Sequence, residues 1–146
     1  MQPAAPMRAF LGFIAGAISL LIFHQGLLEL LHFAGAAPPA WSVQPVPPFG
    51  IPRVVDLCFW AGLWGVLFGL LLPRFTWPLW RCGIVLGFAA ALVGWFVVAP
   101  LKGLPIAASW VPINMARSLL INGFYGLGVG LILPLLMPRS LVRAHP

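Results

Sequence analysis

Four long apolar runs, separated by short polar or proline-rich stretches, dominate the pattern of hydrophobic and polar positions along the chain. They cover about residues 10–34, 54–72, 82–99 and 114–137. Each run is close to the ~20 residues that an α-helix needs to cross ~30 Å of hydrocarbon. We therefore predict an all-α polytopic membrane protein with four transmembrane helices. In this prediction residues 1–146 form a single transmembrane domain, and residues 35–53 and 100–113 form external loops.

The first apolar run carries a polar stripe that lipid alone would not tolerate. Gln25, Glu29 and His32 follow one another at spacings of four and three residues. At about 100° per residue these three side chains share one face of a helix, and His24 lies about 80° from His32. We expect this face to point at protein or water.

Composition and charge support the membrane prediction. Hydrophobic residues make up 62% of the 146 residues and charged residues only 7%, against about 25% charged residues in soluble domains. The net charge of +6 comes from residues at the ends of the apolar runs, where membrane orientation explains them without nucleic acid. Five arginines fall on one side of the predicted topology and three basic residues on the other: Arg8, Arg74, Arg81, Arg139 and Arg143 against Arg53, Lys102 and Arg117. The positive-inside rule then predicts that both termini of the chain, which contacts the lipid bilayer, are cytoplasmic.

An internal similarity relates the second and fourth runs. Residues 62–73 and 123–134 share the pattern Gly-x-aromatic-Gly-x3-Gly-x3-Pro at an offset of 61 residues. This pattern predicts a parallel repeat of two helical hairpins, although the first run has no clear counterpart in the third. Small residues at a spacing of four favour close helix contacts, and the predicted packing residues are Gly62, Gly65, Gly69, Gly123, Gly126 and Gly130.

The same offset places Asp56 and Arg117 at equivalent positions of the two halves. They could form an ion pair, because an unpaired charge at that depth is costly. The alternative is that Asp56 caps the start of the second helix beside Arg53 and that Arg117 extends to the lipid headgroups.

Most of the polar side chains fall in the outer third of the predicted bundle. The candidate set is His24, Gln25, Glu29, His32, Arg53, Asp56, Lys102, Asn114 and Arg117. One interpretation is a hydrogen-bonded clasp that holds the helices together, with Glu29 paired to Lys102 or Arg117. The other is an outward-facing vestibule for binding or transport, in which Glu29 or His32 is the protonatable group.

No sequence motif indicates a cofactor, a metal site or an enzyme. Two of the three histidines lie on the first run and His145 lies in the tail, so facing helices do not supply a bis-histidine haem site. Nucleophile-elbow, phosphate-loop and zinc motifs are absent from the sequence. Cys58 and Cys82 fall near opposite ends of their helices, too far apart for a disulfide. We predict no cofactor, no metal and no enzymatic activity.

Three stretches, Phe23-His24-Gln25, residues 99–103 and residues 122–128, resemble segments of small four-helix bacterial inner-membrane proteins. The resemblance implies that topology and no particular activity. Because the chain has more glycine faces than four helices need, we expect a non-enzymatic accessory or structural subunit of a membrane assembly, or a homo-oligomer. The alternative hypothesis is a small transporter or channel with the outward-facing vestibule.

Overall fold

A computed structural model describes residues 3–138, and it confirms the all-α architecture. Its four long helices are α1 (Ala5–Phe33), α2 (Arg53–Arg74), α3 (Leu79–Leu101) and α4 (Pro112–Leu136). Each is long and apolar enough to cross a membrane. The helix α1 begins earlier than the predicted start at about residue 10, because Pro6 sits in its first turn, where proline is tolerated. Arg139, Arg143 and His145 lie outside the described residues.

The helices pack as two antiparallel hairpins, α1 with α2 and α3 with α4. Contacts between α1 and α4 join the hairpins, whereas α2 and α3 barely touch. The largest fully buried apolar side chains, Phe68, Val129 and Leu133, belong to α2 and α4. We call the half of the bundle that holds residue 5 and the 75–78 linker the terminal half, and the half that holds loops 34–52 and 102–111 the loop half.

Glycines form the contact between the helices of each hairpin. In the first hairpin, a Cβ atom added at Gly65 would overlap the carbonyl oxygen of Gly12, and one at Gly16 would overlap that of Ala61. The backbones of α1 and α2 therefore touch without side chains between them, which is the geometry that small residues four apart permit. At the end of the contact, Arg8 Nε donates to Gly69 O at 3.2 Å.

The second hairpin has the same contacts in the same register. Gly126 faces the carbonyl oxygen of Gly83, and Gly87 faces that of Asn122. Residues of α2 and α4 correspond at the predicted offset of 61, while Gly12 and Gly16 correspond to Gly83 and Gly87 at an offset of 71. The first helix thus has a counterpart in the third, which the sequence analysis missed because few residues besides the two contacting glycines match at this offset.

A π-helical turn interrupts the first helix of each hairpin. These turns are Leu20–His24 in α1 and Gly94–Val98 in α3, and both lie in the loop half. A π turn contains one more residue than an α-helical turn and commonly occurs at functional sites. The two hairpins therefore share a glycine contact in the terminal half and an irregular first helix in the loop half.

The two loops differ in length and structure. In loop 34–52, β1 (Pro45–Val46) pairs antiparallel with β2 (Ile51–Pro52), a feature that the sequence analysis did not predict. Loop 102–111 contains a short turn, Ala107–Trp110, in which all four residues have φ between +48° and +62°. That left-handed conformation costs roughly 1–2 kcal/mol for each residue with a Cβ atom.

Candidate functional site

The polar stripe of α1 holds the backbone of loop 34–52. Gln25 Oε1 accepts a hydrogen bond from the backbone N–H of Trp41 at 2.8 Å, and Glu29 Oε2 accepts one from Ala40 at 2.8 Å. His32 Nδ1 lies 2.9 Å from the carbonyl oxygen of Ala37 and donates to it. The predicted shared face is therefore present, and its partners are backbone groups of the loop. These backbone groups are partly removed from water and so favour a hydrogen-bond partner, which the stripe supplies.

Two further contacts attach the loop to the helices. The indole Nε1 of Trp41 donates to the carbonyl oxygen of Leu21, in the π turn of α1, at 3.1 Å. Arg117 Nη1 donates to Ala36 O at 2.6 Å, and its Nη2 donates to Asn114 Oδ1 at 3.0 Å. The loop is thus attached to both α1 and α4.

The predicted ion pairs do not form. Glu29 is bonded to the loop backbone and not to Lys102 or Arg117. For Asp56, both a pair with Arg117 and a capping position beside Arg53 were left open, and it accepts a hydrogen bond from Trp60 Nε1 one turn further along α2 at 3.1 Å. The sequence analysis placed these side chains at a similar depth but could not give the direction in which each one points.

A cavity of about 500 Å³ lies beneath loop 34–52, and we call it the loop cavity. Pro38 and Pro39 of the loop and Leu28 and Leu57 of the helices form its apolar walls. Its polar lining consists of His24, Gln25, Ser42, Gln44, Arg53 and Arg117. Four residues of the predicted vestibule, His24, Gln25, Arg53 and Arg117, therefore meet in one cavity.

A second cavity, of about 430 Å³, lies where α2 and α3 separate, and we call it the interhelix cleft. Its walls are mainly apolar and include Trp60, Trp64, Ala90 and Val98. Its polar lining consists of His24, Asp56, Lys102, Asn122 and Tyr125. His24 and Leu57 line both cavities, so the cleft and the loop cavity adjoin at these two side chains.

Buried hydrogen bonds beside the cleft join three helices. Ser19 Oγ of α1 donates to the carbonyl oxygen of Tyr125 at 2.6 Å, and the Tyr125 hydroxyl donates to Ala61 O of α2 at 2.6 Å. Ser19 is fully buried and Tyr125 is only 3% exposed. The sequence analysis did not select either residue. The available signal was that Tyr125 is the one tyrosine of the chain and occupies the position equivalent to Trp64 in the repeat.

The remaining predicted residues do not line the loop cavity or the interhelix cleft as ligand-binding groups, or they lie in helix contacts. Glu29 and His32 line neither cavity, and Asn114 positions Arg117. The glycines predicted for packing all lie in contacts within the chain. Within residues 3–138, no three His, Cys, Asp or Glu side chains come together as a metal site. Cys58 and Cys82 are free thiols.

The protein is therefore an all-α chain of four membrane-length helices, and its loop half contains two adjoining cavities. No protein-family model matches the chain, and neither the curated proteins nor the solved structures give a match. We therefore infer function from the residues of the cavities.

Proposed function

We propose that the chain is a multi-pass protein of the bacterial inner membrane that binds a small amphipathic molecule in the interhelix cleft, as a small transporter or channel does. The observation that carries this proposal is the cleft itself, an apolar cavity of about 430 Å³ with a few polar groups at defined positions. Small-molecule sites have volumes of about 300–1,000 Å³ and this kind of lining.

The polar groups of the cleft favour a binding role. Polar and ionisable side chains are rare inside membrane-spanning helices because they are costly there, and they commonly mark binding or transport sites. Asp56 and Lys102 line the cleft close to the loop ends of α2 and α3, while Tyr125 lines it deeper in the bundle. An amphipathic ligand fits this gradient, with its apolar part against Trp60 and Trp64.

The proposed orientation places both termini in the cytoplasm and the loop half toward the periplasm. It rests on the excess of arginines at the terminal side of the four helices, five against three basic residues at the loop side. In this orientation both cavities face outward.

The accessory-subunit hypothesis now has less support. It depended on glycine faces left over for contacts with other proteins, but the glycines of α2 and α4 contact α1 and α3. Among the described helical glycines, Gly26 and Gly94 have open space around the position of a Cβ atom. An accessory role remains the competing hypothesis, and native mass spectrometry of the protein from native membranes would favour it if a larger protein were bound in stoichiometric amount.

Photolabelling with an alkyl-chain amphiphile that carries a diazirine would test the binding proposal. We expect saturable labelling of residues 57–64 and 90–98 in nanodiscs. The substitution Ala90→Phe fills the cleft and should abolish this labelling. Ala89→Phe is the matched control, because Ala89 is the preceding residue of α3 and does not line the cleft. Labelling that does not saturate, or that Ala90→Phe and Ala89→Phe change equally, would contradict the proposal.

A further inference from the structure

The loop cavity has a strongly positive lining. Arg53 of α2 and Arg117 of α4 both line it, and no carboxylate does. The chain contains only two acidic residues. Glu29 is bonded to the Ala40 amide, and Asp56 lines the cleft and is bonded to Trp60. The two arginines therefore lie in one cavity without an acidic side chain in its wall.

The two arginines are held differently. Arg117 is fixed by its bonds to Ala36 O and Asn114 Oδ1, which use two of the five N–H donors of a guanidinium group. For Arg53, the structure of residues 3–138 contains no hydrogen bond from the side chain to another protein group. The Arg117 side chain is thus positioned in advance, whereas the guanidinium donors of Arg53 are available to a ligand.

Neutral hydrogen-bonding groups accompany the arginines in the cavity. Gln25 is 2% exposed, and its amide nitrogen lies 3.2 Å from His24 Nδ1. Ser42 and Gln44 approach from the loop. Two guanidinium groups among neutral donors fit an oxyanion, because arginine binds phosphate and carboxylate groups through paired N–H donors.

We propose that the loop cavity binds a phosphate-type anionic group, and that this group is the head of the amphipathic molecule whose apolar part occupies the interhelix cleft. The second part rests on the proposed function. The two cavities share His24 and Leu57 in their walls, so the ligand would pass these two side chains to occupy both. An anion between Arg53 and Arg117 would also offset the repulsion of two like charges. The ligand class is then an anionic amphiphile, and its phosphate group comes either from a membrane lipid or from a soluble molecule.

Binding of three amphiphiles with the same alkyl chain would test this proposal. The full chain, in nanodiscs of zwitterionic lipid, would be titrated with an alkyl phosphate, an alkyl phosphocholine and an uncharged alkyl glycol. We expect the alkyl phosphate to bind at least about tenfold more tightly than the uncharged analogue, because hydrogen bonds to charged groups contribute on that scale. Salt should reduce this preference.

Arg53→Gln is the main variant, because the one hydrogen bond of Arg53 to the loop, from its backbone N–H to Gln44 O at 2.9 Å, does not involve the side chain and is kept. It should remove most of the preference for phosphate, and Arg53→Lys should restore part of it. Arg74→Gln is the matched control, since Arg74 lies at the opposite end of the same helix and lines neither cavity. Arg117→Lys is a second variant that keeps the charge near Ala36 while changing the paired donors, and it should lower the preference with the loop still attached.

The outcomes separate this inference from the proposed function. Equal binding of all three amphiphiles, unchanged in Arg53→Gln, would overturn the anionic head and leave the cleft as a binding site. If no amphiphile binds saturably but inorganic phosphate binds in an Arg53-dependent way, the cavity takes a free anion and the proposed function fails. If neither phosphate nor alkyl phosphate depends on Arg53, the anion site is overturned.

Discussion

The terminal half and the loop half of the bundle use different interactions to hold the same four helices. In the terminal half, glycines bring the backbones of each hairpin into direct contact, as Gly126 and Gly83 do. In the loop half, α2 and α3 separate around the interhelix cleft, and hydrogen bonds from side chains such as Gln25 and Glu29 attach the loop to α1. The difference suggests that the glycine contacts supply rigidity, so that the loop half can keep cavities and polar groups.

The largest expected effect comes from breaking the terminal half. Gly126→Ala places a Cβ atom against the backbone of Gly83 and Gly87, where no flexible side chain can move aside. Overpacking typically costs about 1–3 kcal/mol and more where the backbone must shift. We therefore expect the free energy of unfolding to fall by about 3 kcal/mol. Unfolding by denaturing detergent would measure it.

The matched control for this change lies in the loop half. Gly26→Ala adds a Cβ atom that meets nothing within 4 Å. It should leave stability unchanged or raise it by up to about 1 kcal/mol, because alanine is the better helix former. Equal losses for Gly126→Ala and Gly26→Ala would contradict the assignment of rigidity to the glycine contacts.

A smaller effect is expected when the loop is released. Glu29→Ala removes the acceptor of the Ala40 amide, which should cost about 1–2 kcal/mol and increase hydrogen exchange in residues 35–44. Glu29→Gln keeps an acceptor oxygen and should largely preserve protection. If Glu29→Gln instead abolishes a pH-dependent flux in liposomes while loop protection stays intact, then Glu29 is the protonatable group of a transporter.

The buried bonds at the border of the two halves should contribute less. Tyr125→Phe removes the hydroxyl that donates to Ala61 O and should cost about 1 kcal/mol. Ser19→Ala should cost a similar amount, because it removes the bond to Tyr125 O. Stability curves of the two single variants and the double variant would measure these costs. A loss several times larger for Tyr125→Phe would indicate that the hydroxyl supports more than one helix contact.

The smallest effect concerns the left-handed turn in loop 102–111. Ala108→Gly relieves a positive φ of 52°, but glycine also gains freedom in the unfolded chain, so the net gain should be a few tenths of a kcal/mol. Ala99→Gly is the control, because Ala99 has right-handed helical geometry and should be destabilised by the change. Thermal unfolding of the two variants should therefore shift in opposite directions.

The sequence predicts the helices well because their signal is local. Apolar runs of membrane length and the glycine spacing of Gly62, Gly65 and Gly69 depend on neighbouring residues alone. The second helix of each hairpin could be matched by its glycines, whereas the correspondence of Gly12 with Gly83 required the contacts themselves.

The sequence analysis named some residues that line the two cavities, such as Arg53 and Arg117, but it missed Tyr125 and gave no arrangement. Gln25 and Glu29 were correctly placed on one face, yet their partners are amides of a loop whose path depends on prolines and on Trp41. The two cavities also had no sequence signal, since the interhelix cleft arises where α2 and α3 fail to touch and the loop cavity arises beneath loop 34–52. Charge pairing inferred from depth alone failed for Asp56 and Arg117, because depth does not give side-chain direction.

The π turn in α1 determines how this helix could tolerate a change in length. Deleting one residue within Leu20–His24 would convert the turn to a regular α-helical one. Gly12 would then still face α2, and Glu29 would still face loop 34–52. A deletion elsewhere in α1 would rotate one half by about 100° and separate the glycine contact from the polar stripe. The shorter helix would, however, lose the irregular turn whose Leu21 carbonyl accepts the indole of Trp41. Homologues without that extra residue should therefore also lack the tryptophan.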